Sequence, residues 1–317
     1  MTASAANAPV WVQALLALGH VAVLLGLSPL LLGVVVRVKA WFAGRKGPPL
    51  LQPYFELAKL LRKGAVVSQS TTWVFRLGPV AGVVTALVAG LFVPLGGSPS
   101  PFAFAGDLVL VAYLFALGRF ATVLSALDTG SAFEGMGASR EVAFSCLVEP
   151  ALFLGWLALA QLLAVDAPLT LTNLLAIGGN AWVAHPGALL LVVGAWVLVV
   201  LAENCRIPFD DPNTHLELTM IHEVMVLDHS GPMLGLVEYG AALKLAVTSS
   251  LVLGLLLPST GRPALDLGIA VGGLLVLAGL IGVVESVLAR QRLLRVPMLL
   301  VTASLMAAFS VALVAMR

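Results

Sequence analysis

The sequence predicts an all-α fold, a polytopic membrane protein of about eight transmembrane helices with interfacial amphipathic helices. Three observations carry this. Of 317 residues, 60% are hydrophobic and 10% charged, with mean hydropathy +1.05, whereas soluble domains carry roughly a quarter charged residues. Apolar runs long enough for a bilayer core, about 20 residues each, recur at 12–36, 77–96, 106–127, 143–165, 187–203, 235–258, 266–288 and 296–315. The basic residues between the runs lie almost entirely on one side.

That asymmetry orients the chain. Arg37, Lys39, Arg45, Lys46, Lys59, Arg62, Lys63, Arg76, Arg140, Arg206, Arg290, Arg292 and Arg295 fall after odd-numbered runs, against Arg262 and Arg317 on the other side. By the positive-inside rule the odd-numbered connections face the cytoplasm and the termini face outward, which places the chain in the cell inner membrane. The expected organisation is a single membrane domain, 1–317, with cytoplasmic loops at 37–76, 128–142 and 204–234. No basic residue precedes the first run, so that run reads as a retained helix rather than a cleaved signal peptide.

Composition also bounds the chemistry. The net charge of +1 gives no polyelectrolyte character and no sign of nucleic-acid binding. Cys146 and Cys205 are too far apart in the chain for a C-x-x-C pattern, so no cofactor is expected in this chain. His215, Glu217 and His222 lack H-E-x-x-H spacing, and the expected metal and catalytic residues are none.

Within the first loop, LLQPYFELAKLLRK places Leu50, Tyr54, Leu57 and Leu61 at helical spacing, with Glu56, Lys59, Arg62 and Lys63 displaced from them. This pattern is an amphipathic helix at the cytoplasmic interface. Two cations, Arg119 and Lys244, fall inside runs, where a charge is costly and normally meets a partner or a polar interior.

Most of the polar chemistry sits in AENCRIPFDDPNTHLELTMIHEVMVLDHSGP. It holds Glu203, Asp210, Asp211, Glu217, Glu223 and Asp228 with three of the five histidines. Pro208 and Pro212 are expected to break the preceding helix, and Asn213 or Thr214 to cap a new one reaching about Leu227, with His215 and His222 on one face. Clustered carboxylates at low dielectric raise one another's pKa and can exchange protons near neutrality. The 128–142 loop adds Asp128, Glu134, Arg140 and Glu141, and Glu149 lies about two turns into the next span.

These motifs resemble the complex I subunit 1 family of NADH dehydrogenase membrane subunits. Glu203, Asn204, Arg206, Pro208, Phe209, Asp210, Pro212, Glu217, Leu218, Ser230 and Gly231 are similar to its loop between the fifth and sixth helices. GRKGPPLLQPYFELAKLL, with Arg45, Gly47, Pro48, Gln52, Pro53, Glu56 and Lys59, is similar to its first cytoplasmic motif. Arg140 and Glu149 match its next pair. A shortened first loop and LDTGSAFEGMGASRE resemble the branch of group 4 membrane-bound nickel–iron hydrogenases, that of hydrogenase-4 component C and formate hydrogenlyase subunit 4.

The resemblance implies a membrane-anchoring, ion-coupling subunit that links redox chemistry in soluble subunits to proton or sodium translocation. It implies hydrogenase-like large and small subunits and antiporter-like membrane subunits as partners, alongside the lipid bilayer. A nickel–iron centre and iron–sulfur clusters would belong to those partners. Glu203, Asp210 and Glu217 would be coupling acids and Glu149 an inward relay, with Glu141, Asp228 and His215 as further proton-exchanging groups. Arg45, Gln52, Glu56, Lys59, Arg140 and Arg206 would order loops or dock partners. Asn213 and His215 stand where most relatives carry carboxylates, and His229 departs from the usual E-Y-S-G. Two other readings are the quinone-binding membrane subunit of an NADH:quinone oxidoreductase and an independent secondary transporter, although the halves show no internal repeat.

Overall fold

The computed structural model describes residues 10–177, 179–210 and 220–316. The helices are α1 (Val10–Phe42), α2 (Gln52–Arg62), α3 (Trp73–Phe92), α4 (Asp107–Asp128), α5 (Ala132–Ala160), the short α6 (Leu171–Leu175) and α7 (Gly179–Ala184), then α8 (Pro186–Glu203), α9 (Pro232–Leu256), α10 (Pro263–Val287) and α11 (Val296–Ala315). Eight of these are long and apolar enough to span a membrane. The all-α polytopic fold expected from the sequence is therefore what the chain adopts.

Packing is organised around α9. Its apolar window is 78% buried, whereas the other spans bury 28–44%. It touches α1, α2, α3, α8 and α10. Around it, α3 pairs with α4, α10 with α1, and α11 with both α5 and α8. Small residues permit the closest approaches: a Cβ on Gly78 of α3 would lie 2.6 Å from Ser125 Cβ on α4, and one on Gly240 of α9 would lie 3.2 Å from the Val83 backbone of α3.

The 33 residues of α1 extend about 50 Å, roughly 20 Å more than a hydrocarbon core. Its last turns, which carry Arg37 and Lys39, run past the end of the 12–36 apolar run. Pro29 lies inside this helix and offers no N–H to the Leu25 carbonyl. The Tyr239 hydroxyl of α9 donates to that carbonyl at 3.0 Å, and the Tyr54 hydroxyl of α2 donates to Gly26 O on the next residue. The proline thus opens a backbone acceptor beside which three helices are tied together. Leu60 and Leu61 of α2 pack beside Gly235 of α9, so the amphipathic helix lies in the angle between α1 and α9.

Two boundaries differ from the sequence reading. Residues 132–142, expected in a loop, form the first turns of α5. Their glycines do not stop the helix; Gly137 lets it pack within van der Waals reach of Ile221 and Val224. The helix expected to reach Leu227 appears, within its described part, as a single 3-10 turn, Glu223–Val226. The end of α8 at Glu203 coincides with the end of the 187–203 apolar run, and a turn ahead of Pro208 makes the stop. Cys205 N–H donates to Ala202 O at 3.1 Å and Arg206 N–H to Leu201 O at 2.8 Å, which is the Schellman arrangement. Cys205, at φ +49°, occupies the left-handed position that usually takes glycine.

The Gly78 contact makes a test of the packing. Gly78→Leu is expected to lower stability by about 1–3 kcal/mol through overpacking against α4, measured as a lower Tm in detergent. Gly82→Leu, one turn along α3 where an added Cβ would meet nothing within 4 Å, is expected to leave it nearly unchanged.

Candidate functional site: a buried charge cluster where α4, α8 and α9 meet

Glu203 closes α8, with a side chain 8% exposed. Its Oε2 lies 2.8 Å from Lys244 Nζ on α9 and its Oε1 lies 3.4 Å from Arg119 Nη2 on α4. Arg119 Nη1 reaches Glu149 Oε1 of α5 at 3.5 Å. Both cations expected to need partners therefore share one carboxylate, and four helices supply the four charges. The four paired charges, two cations and two anions, offset one another, which is what makes them tolerable among apolar helices.

Three cavities converge on this point. The first, about 90 Å³, is lined by Arg119, Glu141, Glu203, Cys205, His222 and Lys244 among others. A smaller one behind it touches Arg119, Glu149 and Glu203, and a third touches Glu141, Glu203, Cys205 and Asp210. At about 15 Å³ per water, the first has room for several. Arg119 Nε and Asn204 Oδ1 are buried without a protein partner among the described residues, and buried polar atoms of this kind are the ones water satisfies.

Asp210, 1% exposed, binds the loop to its surroundings. Its Oδ1 accepts from Arg290 Nη2 at 2.9 Å, and its Oδ2 accepts the N–H groups of Ile221 at 2.9 Å and His222 at 3.3 Å. Arg206 Nη1 lies 3.5 Å from Glu285 Oε1 on α10. Arg140 Nη1 donates to Met220 O at 2.9 Å, tying α5 to the same loop. Among the remaining expected residues, Gln52 Nε2 donates to Glu56 Oε1 at 3.0 Å on the exposed face of α2, where Lys59 is also exposed. Arg45 is exposed, and the guanidinium that secures its turn is Arg37, whose Nη1 donates to Gly47 O at 3.3 Å and Pro48 O at 3.0 Å. Asp228 is exposed, away from the cluster; its N–H donates to the buried Glu134 at 3.1 Å. Glu149 is half-buried, 45% exposed at the side chain. His215 and Glu217 lie outside the described residues.

Several contributors are not apparent from the sequence. Glu285 and Lys39 read there as parts of an apolar run and a basic loop, although a carboxylate inside a span is as costly as Arg119 or Lys244. Cys205 lines two of the cavities; burial, with help from Glu141 and Asp210, pushes its thiol well above the ordinary value. His229 is buried and stacks on Phe75, ring centroids 4.1 Å apart. Burial pulls its imidazole below the ordinary histidine value.

A family profile described as NADH dehydrogenase matches residues 14–316. The chain belongs to this family. It is 36% identical over 285 residues to hydrogenase-4 component C of Escherichia coli, covering 88% of each chain. It is 34% identical over 280 residues to formate hydrogenlyase subunit 4 of the same organism, covering 86% of this chain and 89% of that one. Among solved structures, a chain of the archaeal membrane-bound sulfane sulfur reductase superimposes with a TM-score of 0.80 at 20% identity, over 95% of this chain and 99% of that one. The last shows a shared fold. Membership of the NADH dehydrogenase family thus agrees with the complex I subunit 1 resemblance carried by the loop motifs.

Two measurements probe the cluster and the loop beside it. Lys244→Met strips Glu203 of its nearest cation and is expected to cost about 3–5 kcal/mol, while adding Glu203→Gln recovers much of that; thermal unfolding of the single and double variants reads both. His229 binds protons more weakly folded than unfolded, so its contribution is complete above about pH 6.5 and is lost as pH falls through the lower folded value. His229→Phe, which keeps the stack on Phe75, is expected to flatten the fall in Tm on acidification below that pH.

Proposed function

We propose that the chain is the membrane-anchoring, ion-coupling subunit of a group 4 nickel–iron hydrogenase or a related complex I-like oxidoreductase. The observation that carries this is Glu203: one carboxylate, held by cations from two helices, at the meeting of three cavities. A proton arriving at or leaving Glu203 changes what Arg119 and Lys244 have to pair with, so protonation there is tied to the placement of both cations. Cavity space toward Asp210 and Glu141 on one side and Glu149 on the other gives a proton somewhere to come from and go to.

In this reading Glu203 is the central exchanging acid. Glu141 and Asp210 stand at its loop side, and Glu149 hands charge toward a neighbouring membrane subunit that covers its exposed side. Glu217 and His215 complete the loop-side group. The positive-inside bias supports cytoplasmic loops and outward termini in the inner membrane. Hydrogenase-like large and small subunits would dock on the charged face, with Arg45, Gln52, Glu56 and Lys59 among the docking groups, and antiporter-like subunits would lie alongside in the bilayer. The nickel–iron centre and iron–sulfur clusters belong to the soluble partners. The near-full-length match to hydrogenase-4 component C and formate hydrogenlyase subunit 4 favours this branch over a quinone-reducing subunit, since the match to NADH-quinone oxidoreductase subunit 8 of Thermus thermophilus spans 66% of this chain.

The test is Glu203→Gln in the intact complex in membrane vesicles. Ion movement driven by the redox reaction is expected to fall about 100-fold, as for loss of a proton-transferring group, while electron transfer to a soluble artificial acceptor persists. Glu203→Asp, which keeps the charge, should retain part of the ion movement. Wild-type ion movement in the Gln variant would sink the proposal.

A further inference from the structure

Glu285 lies in the last turn of α10, with its side chain 0% exposed. Its Oε2 is 2.8 Å from Lys39 Nζ on α1 and its Oε1 is 3.5 Å from Arg206 Nη1. Burying a carboxylate this completely is expensive unless its partners are held in place. The backbone supplies that order. Gly282, one turn earlier, lets α10 lie so close to α1 that a Cβ there would be 3.0 Å from Val35 O, which brings Lys39 within reach.

Arg206 is the loop end of the arrangement. It follows the Schellman turn that ends α8, three residues after Glu203 and four before Asp210. Two further contacts join the same loop to the segment after α10: Gln291 N–H donates to Pro208 O at 3.1 Å, and Arg290 pairs with Asp210 at 2.9 Å. The loop is therefore fastened to α10 and its continuation at residues 206, 208 and 210. Glu285 is the anchor that is buried within α10 itself.

We propose that Glu285 is a positioning residue: by clamping Arg206 against α1 and α10 it sets the place of the 204–210 loop relative to Glu203. Its effect on ion movement rests on the coupling reading above; the clamp itself does not. Arg206 shares Glu285 with Lys39, one carboxylate between two cations. Removing the carboxylate loosens the 206 end of the loop and leaves both cations without that anion.

Cys205, one residue before Arg206, reports the loop position directly. It is partly buried and lines the inner cavities, and burial raises its thiol pKa, so its reaction with a maleimide quickens as the loop opens. In the intact complex carrying Cys146→Ser, which removes the exposed thiol, Glu285→Gln is expected to raise the rate of Cys205 labelling about tenfold or more. Glu285→Asp should stay near the parent rate. The exchange Lys39→Glu with Glu285→Lys restores a bridge between α1 and α10 but sets a cation against Arg206, so labelling should remain fast. Parent-rate labelling in Glu285→Gln, or a return to the parent rate in the exchange, overturns the clamp. Should Glu285→Gln fail to assemble, Arg206→Gln leaves the Lys39 pair intact and decides the matter: fast labelling supports the clamp, and parent-rate labelling refutes it.

Ion movement is read in the same vesicles. With Glu285→Gln, the acid limb of its pH profile is expected to move to lower pH, because the unbalanced Arg206 charge favours ionised carboxylates around it. Fast labelling with an unaltered profile would uphold the clamp and remove the coupling reading instead.

Discussion

Two cations inside a membrane protein must find anions, and here they find the same one. Glu203 between Arg119 and Lys244 is the constraint on which the rest of the arrangement depends. It requires α4, α8 and α9 to converge, and Glu149 brings in α5. The tight α3–α4 and α3–α9 contacts at Gly78 and Gly240 make that convergence geometrically possible. Without the small residues the charges would stand apart; without the charges the small residues would be ordinary packing.

The cluster is also where the apolar bundle gives way to polar loops. The Schellman turn after α8 reverses the chain with a cysteine in the left-handed position, a conformation that costs an L-residue of this type about 1 kcal/mol or more. In return the turn brings Arg206 toward Glu285 and Asp210 toward Arg290. The loop is thereby a second charged layer beside the first, each layer with two carboxylates and their own counter-cations.

Much of this was legible in the residues. Eight apolar runs became eight spans, because length and hydropathy alone decide what a bilayer accepts. Arg119 and Lys244 stood out as in-span charges, and Glu203 as part of an unusual polar segment; what could not be read was that all three meet. That depends on helix rotation, which is set by long-range packing at single glycines. The α5 boundary was misplaced for a related reason. Residues 132–142 are polar on one face and look like loop, yet they continue a helix whose other face rests on residues 221–224. Glu285 and Lys39 were overlooked because each sits at the edge of a run, where a charge looks like a flanking residue; only the close passage of α10 and α1 at Gly282 turns them into a buried pair. Arg37 displaced Arg45 as the holder of the first turn because its helix directs it back toward the Gly47 and Pro48 carbonyls.

The neutrality of the Glu203 cluster has a further consequence. When a single proton arrives, the paired charges go from zero to one net positive charge, and the field of that charge reaches beyond their own contacts. At an effective dielectric near 20, one added charge acts on another about 10 Å away with roughly 1–2 kcal/mol, about a tenfold bias in an equilibrium. An adjoining subunit with a titratable group at that range would register the event without any helix having to shift.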